Sequence, residues 1–179
     1  MKTTSALLTA ILLISLPVQA EITIKEYPDM FIKNNRLDVK IVVGDNAMAS
    51  DTIGAIEIAT SLQVNPTTKK ALIGAKAALA SEIEDIKNEN LIVVGGACAN
   101  GVAAELMGYP PICYESIPPN TGIIRLYKFS GGISLVAAGR TAVDTRRVCR
   151  VLANYYDYKL PQSDYMEIIN TNEREITIR

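Results

Sequence analysis

The sequence contains no histidine and no tryptophan, and each absence excludes a kind of function. Without histidine, the chain lacks the usual general base near neutral pH and the commonest protein ligand of transition metals. Without tryptophan, it lacks the largest aromatic ring for stacking on sugars. No candidate nucleophile is flanked by an identifiable base, and for Cys98 the missing histidine is a serious obstacle. We therefore expect no catalytic residues, no metal ligands and no cofactor, and we predict that the protein is not an enzyme.

The sequence also lacks an excess of either charge. It has 18 basic and 19 acidic residues, which gives a formal net charge of -1. Such a balance creates no field that would gather nucleic acid or hold the chain on an anionic membrane. Nucleic acid is therefore not an expected partner.

Long hydrophobic runs are scarce, and the clearest one lies at the N-terminus. Residues 1–20, MKTTSALLTAILLISLPVQA, combine Lys2 with an apolar run and small residues at Val18 and Ala20. This layout predicts a secretory signal cleaved before Glu21, with a retained membrane anchor as the alternative. Residues 21–179 are enough for one compact domain, and no second run is long enough to span a membrane. We expect a secreted protein with a single domain at 21–179.

Three short runs rich in β-branched residues lack polar alternation, as do strands buried on both faces. They are VKIVV (39–43), LIVV (91–94) and ISLVAA (133–138), and each ends at glycine before a polar turn and a helical pattern. Such units predict parallel strands with helices packed on the sheet. The predicted fold class is α/β, with a mixed, mainly parallel sheet built from three strand-turn-helix units.

Other segments predict further strands around this centre. GIIRLYKF (122–129) precedes ISLVAA, and the glycines between them favour a tight hairpin. EITIKEY (21–27) and REITIR (174–179) alternate polar and β-branched residues, which is typical of strands with one wet face. For 69–88 two alternatives stay open: one long helix, or a short strand in ALIG (71–74) followed by a shorter helix at 81–87.

Three cysteines occur, and export would place them in an oxidising compartment. Cys98 and Cys113 fall in predicted loops, whereas Cys149 falls in an amphipathic helical pattern. We predict a disulfide between Cys98 and Cys113, with Cys149 reduced and buried on the inner face of its helix. The alternative is three separate buried thiols.

The glycine turn GGACANG (95–101) raises the question of a phosphate site, because strand-to-helix turns can cradle phosphates. The turn lacks the G-x-G-x-x-G spacing, and no lysine follows Gly101. We therefore interpret Gly95 and Gly96 as a packing device that lets a strand bend into a helix. Replacing Gly96 by alanine is expected to cost stability, by about 1 kcal/mol or more if its φ is positive.

Two polar clusters flank the other turns. In GDNAMASD (44–51), oxygens of Asp45, Asn46 and Asp51 could hold a cation, but capping of the next helix by Ser50 or Asp51 is favoured. In GRTAVDTRR (139–147), the charged residues predict a solvated helix surface, with binding of an acidic sugar or phosphate as the alternative. The charged residues of this second cluster are Arg140, Asp144, Arg146 and Arg147.

Taken in order, three blocks of the sequence resemble archaeal S-layer proteins and their small S-layer-like relatives. The most specific parts are VVGDNAMASDTIGAIEIA (42–59), VVGGACAN (93–100) and AAGRTAVDTRR (137–147). The resemblance implies a structural part of the cell-surface lattice with no catalytic site, and a paired cysteine set at Cys98 and Cys113.

The function expected from the resemblance is that of a cell-envelope structural protein at the cell surface. Its expected partners are envelope or S-layer proteins, including further copies of itself, and a cell-surface glycan is a further candidate. The alternative is a module that binds an envelope polysaccharide through helix N-termini and Arg140, Arg146 and Arg147. A less favoured alternative is a nucleotide or phospho-sugar enzyme that uses GGACANG.

Overall fold

The computed structural model describes residues 21–65, 67–172 and 175–178. Residues 1–20, on which the predicted signal falls, lie outside this range. The described chain forms a seven-stranded sheet, a two-stranded ribbon and three α-helices. The strands are β1 (Ile32–Lys33), β2 (Arg36–Leu37), β3 (Lys40–Val43), β4 (Lys76–Leu79), β5 (Leu91–Val94), β6 (Thr121–Lys128), β7 (Ile133–Gly139), β8 (Tyr165–Asn172) and β9 (Glu175–Ile178). The helices are α1 (Ala49–Ser61), α2 (Gly101–Leu106) and α3 (Ala142–Ala153).

The large sheet is mixed. Its strand order is β4-β3-β5-β7-β6-β8-β9. The pairs β3–β4, β3–β5 and β5–β7 are parallel, and the pairs that involve β6, β8 and β9 are antiparallel. The α/β class and the mixed sheet are confirmed, but the expectation of a mainly parallel sheet is not, because only half of the neighbouring pairs are parallel.

The core lies on both faces of this sheet, because successive strand residues point to opposite sides. On one face, Ile92 and Leu135 pack with α1 and α3. On the other face, Val93 and Val136 pack with α2. All four residues of β5 are buried, which explains why LIVV shows no polar alternation.

The helices α1 and α3 pack closely at Gly54 and Cys149. A Cβ atom on Gly54 would lie 2.7 Å from the Cys149 sulfur, so only glycine fits there without movement. Cys149 is a free thiol buried on the inner face of α3, as expected from the helical pattern. Burial raises the pKa of this thiol, which keeps it in its unreactive protonated form.

The hairpin prediction is confirmed. Strands β6 and β7 pair antiparallel, and the Phe129 N–H donates to the Gly132 carbonyl oxygen at 2.9 Å across the turn. The described part of REITIR forms β9, in agreement with its alternation.

Two other local predictions are wrong. In EITIKEY, Ile24–Glu26 forms a 3₁₀ turn instead of a strand, because Thr23 and Glu26 hydrogen-bond each other across it. In 69–88 neither alternative is correct, since the strand is Lys76–Leu79 and only a 3₁₀ turn, Ala80–Glu82, follows it. The backbone φ of +117° at Gly74 interrupts a helix there, and pairing with β3 then selects the extended form.

Candidate functional site

The strongest candidate site is a cleft of about 230 Å³ at one edge of the sheet. Because β3, β5 and β7 run parallel, their carboxyl ends meet at this edge, which is where open α/β sheets place their ligands. The loops after these three strands and the loop around residue 113 form the walls. The lining residues are Asn46, Met48, Asp51, Gly96, Cys98, Ala99, Cys113, Tyr114, Gly139, Arg140, Thr141, Ala142 and Thr145.

Asn100 holds the strand ends beside this cleft together. Its side-chain oxygen accepts from the N–H groups of Val102 and Ala103 and so caps α2. Its side-chain nitrogen donates to the carbonyl oxygens of Val42 in β3 and Val94 in β5. This residue was not among the predicted site residues, although an asparagine directly before a helical run is a recognisable N-cap signal.

The glycine turn does serve packing, but of the two predicted glycines only Gly95 needs to be glycine, and Gly44 in the facing loop is a further one. Gly95 has a φ of +103°, a conformation that favours glycine. At Gly44, a Cβ would fall directly on the carbonyl oxygen of Ala99. Gly96 has no positive φ, and a Cβ there would come no closer than 3.8 Å to the Gly139 carbonyl oxygen. The expectation for Gly96 was therefore wrong, and Gly96→Ala should lower the stability of the protein only slightly.

Cys98 and Cys113 form one wall of the cleft, where the structure joins them by a disulfide with a Cα–Cα distance of 5.1 Å. The bridge connects the glycine turn after β5 to the loop that precedes β6. Arg140 secures the same loop, because its guanidinium donates to the carbonyl oxygens of Tyr114 and Ile117 and lies 4.2 Å from the Tyr114 ring centroid.

Removing this disulfide should destabilise the protein. The bridge closes a loop of 15 residues, so Cys113→Ser is expected to lower the free energy of unfolding by about 3 kcal/mol or less. Chemical denaturation of the wild type and the variant measures the difference, with the reduced wild type as a control. Non-reducing peptide mapping tests the pairing itself, and a Cys98–Cys149 link would contradict it.

Asp51 lies at the floor of the cleft in the first turn of α1 and is only 2% exposed. Its Oδ1 atom is buried and has no hydrogen-bond partner. Burial raises the pKa of the Asp51 carboxyl, and hydrogen bonding by the Met48 backbone and the Thr145 side chain lowers it only in part. Ionisation of this carboxyl therefore costs stability.

This cost predicts a pH-dependent effect of Asp51→Asn. The folded state binds the Asp51 proton more tightly than the unfolded chain does, so ionisation of Asp51 destabilises the fold. Relative to the variant, the wild type should lose stability as pH rises from about 3 to about 7. Urea denaturation across this range measures the effect. Asp85→Asn is the control, because a hydrogen bond from Asn88 lowers the pKa of the exposed Asp85. Relative to this variant, the wild type should gain stability as pH rises.

The cation site that was the alternative for Asp45, Asn46 and Asp51 gains no support from the hydrogen bonds of Asp45. Both carboxylate oxygens of Asp45 accept hydrogen bonds from Ser81, from its backbone N–H and its hydroxyl. The capping prediction for α1 is also wrong, because the N-cap is Met48 and no side chain hydrogen-bonds there as a cap. Among the described residues, no group of three or more histidine, cysteine, aspartate or glutamate side chains is placed to hold a metal ion.

The arginines of GRTAVDTRR (139–147) each form hydrogen bonds with other groups of the protein. Arg146 donates to Glu57 of α1 at 3.1 Å, and Arg147 donates to Asp144 at 3.1 Å. Asp144 also accepts from the Thr141 backbone and hydroxyl, which completes a capping box at the start of α3. With Arg140 held in the cleft wall, these side chains serve mainly to fix α3 in place.

Comparison with known families supports one of the predictions made above. Residues 23–70 match the family model described as S-layer like family, outer domain. The match confirms the resemblance over these residues and supports an S-layer-like family, with a structural role in the cell envelope at the cell surface. The matched segment contains β3, α1 and the Asp51 side of the cleft. No curated protein sequence matches the chain.

A helix of the length and apolar character needed to cross a membrane does not occur within 21–65, 67–172 or 175–178.

Proposed function

We propose that this chain is a non-enzymatic structural protein of the cell envelope, which acts through protein–protein contacts at the cell surface. The match of 23–70 to the S-layer-like family carries the proposal. In this proposal the first twenty residues direct export, and 21–179 act as one S-layer-like domain. The partners are other envelope proteins, including further copies of the same chain.

The surface around the cleft supports a role in protein contacts. Met48 is 63% exposed and Tyr114 is 43% exposed, and Tyr109 and Ile112 of the same loop are also exposed. Methionine and aromatic side chains are enriched at protein interfaces, where a few buried anchors supply most of the binding energy. The disulfide between Cys98 and Cys113 fixes this loop, which reduces the entropy lost when it binds.

The site offers less support for the other candidate functions. The crevice between the ends of β3 and β5 is filled by Asn100 and by the approach of Ala99 to Gly44, so a phosphate would have to displace buried groups. A polysaccharide would have to compete with the groups that already hold Arg140, Arg146 and Arg147. We therefore place protein contacts first.

Electron microscopy of the purified mature protein, alone and mixed with an envelope extract, tests this proposal. We expect ordered sheets, filaments or discrete complexes that depend on the exposed residues at the cleft. The pair Met48→Ser and Tyr114→Ser should weaken assembly, whereas Tyr156→Ser, at an exposed site on the other end of α3, is the matched control. The proposal would be contradicted if the protein stayed monomeric both alone and with the envelope extract, and turned over a nucleotide or phospho-sugar.

A further inference from the structure

The floor of the cleft holds a carboxyl oxygen without a hydrogen-bond partner. Asp51 is buried, its Oδ1 accepts no hydrogen bond, and the residue lines the cleft. Buried polar groups in folded proteins nearly always have partners, and buried charges are paired. Its place in the first turn of α1 favours the ionised form, but the helix supplies only a partial positive charge. An external group that donates hydrogen bonds and carries positive charge would complete the site.

We propose that this cleft binds the ammonium group of a lysine side chain from a neighbouring protein, with Asp51 as its counter-ion. The source of the lysine rests on the proposed function, since it assumes contact with another surface protein. The chemistry of the cleft itself does not depend on that assumption.

Arg140, the other charged residue that lines the cleft, does not neutralise Asp51. The guanidinium of Arg140 also lines the cleft, but it is turned toward the carbonyl oxygens of Tyr114 and Ile117 and stacks on the Tyr114 ring. Within the described part of the chain, no salt bridge joins Arg140 to Asp51. Asp51 thus has no cationic partner within the described residues, and a ligand would reach its buried Oδ1 from the floor of the cleft.

An organic ammonium fits the cleft better than a metal ion does. Calcium takes six to eight oxygen ligands, whereas Asp51 is the one carboxylate among the residues that line the cleft. A volume of about 230 Å³ exceeds what a bare ion fills and is enough for a side chain. Because Arg140 also lines the cleft, a monovalent ammonium meets less repulsion there than a divalent metal ion does.

The walls of the cleft favour lysine among the possible amines. Met48, the Tyr114 ring and the disulfide present apolar surface above Asp51, against which the methylene groups of a lysine can pack. Arginine is less suitable, because a buried guanidinium needs partners for five donors, and one carboxylate oxygen without a partner cannot supply them. The Thr145 hydroxyl lies beside Asp51 and already accepts from the Gly139 N–H, so it has one further lone pair with which to accept from the ammonium.

Titration of the mature protein with N-acetyl-lysine N-methylamide, followed by amide NMR shifts at Asp51, Gly96 and Thr145, tests the inference. We expect saturable millimolar binding, which Asp51→Asn weakens by about tenfold or more. Asp45→Asn is the matched control, because it removes a carboxylate of the same loop that does not line the cleft, and it should bind as the wild type does. The spectra also show whether each variant is folded.

Parallel titrations with N-acetyl-arginine N-methylamide and with calcium chloride separate the alternatives. Weaker binding of the arginine analogue and no Asp51-dependent response to calcium would support the inference. Absence of lysine binding at about 100 mM, equal binding to Asp51→Asn, or tighter Asp51-dependent binding of calcium would each overturn it. If the protein assembles at the cell surface but does not bind lysine, the proposed function stands and this inference fails. If it binds lysine but is absent from the surface, the inference stands and the proposed function fails.

Discussion

Replacement of Asn100 by alanine is expected to lower the free energy of unfolding by about 4 kcal/mol. The side chain is 1% exposed and makes four hydrogen bonds to backbone groups. Alanine would leave the carbonyl oxygens of Val42 and Val94 without this donor and would remove the cap of α2. Each unsatisfied buried group costs about 1 to 3 kcal/mol, and loss of an N-cap costs about 1 kcal/mol.

Asn100→Asp separates the two roles of this side chain. Aspartate can still accept from the N–H groups of α2, but in place of the amide nitrogen it presents an oxygen to the two carbonyl oxygens. It should therefore destabilise the protein at neutral pH about as much as alanine does, although aspartate is a good N-cap. Denaturant unfolding of both variants measures the effect. A loss below about 1 kcal/mol in either variant would show that Asn100 does not join the strands.

Replacement of Gly44 by alanine is the second large expected effect, with a loss of about 3 kcal/mol, at the upper end of what overpacking usually costs. A Cβ at Gly44 would overlap the carbonyl oxygen of Ala99, so the loop that carries Asn100 would have to move. The change is an overpacking of backbone against backbone, which no rotamer can relieve. Thermal and denaturant unfolding measure the loss.

Two other glycines serve as matched controls for this variant. A Cβ at Gly101, the first residue of α2, would meet no heavy atom within 4 Å, and Gly101→Ala should be neutral or slightly stabilising. A Cβ at Gly96 would make ordinary contacts only, so Gly96→Ala should cost little. If Gly44→Ala lowered the free energy of unfolding no more than Gly101→Ala does, the loops at Gly44 and Ala99 would not approach each other this closely.

The central strands could be predicted from the sequence because burial on both faces leaves a local signal. LIVV is continuous, apolar and β-branched, and it coincides with β5. The strand β4 leaves no such signal, because KAAL is compatible with a helix and becomes a strand only by pairing with β3. Its neighbour Gly74, whose φ is positive, is the one local hint against a helix there.

The site was harder to predict than the fold, since its residues come from distant parts of the chain. Asp51 was interpreted as a possible helix cap, which is the commonest role for aspartate at that position. Its burial depends on the packing of α1 against α3 and on Thr145, nearly a hundred residues further along the chain. Asn100 likewise contacts Val42, and only the parallel pairing of β3 with β5 brings the two together.

The most direct test of the central claim is cross-linking of intact cells with a membrane-impermeant amine reagent, followed by mass spectrometry. A surface structural protein should be labelled on exposed lysines, among them Lys76, and should be cross-linked to other envelope proteins or to further copies of itself. Labelling should be equal before and after cell lysis. A protein that is labelled only after lysis, or that is labelled in intact cells without any cross-linked partner, would contradict the account.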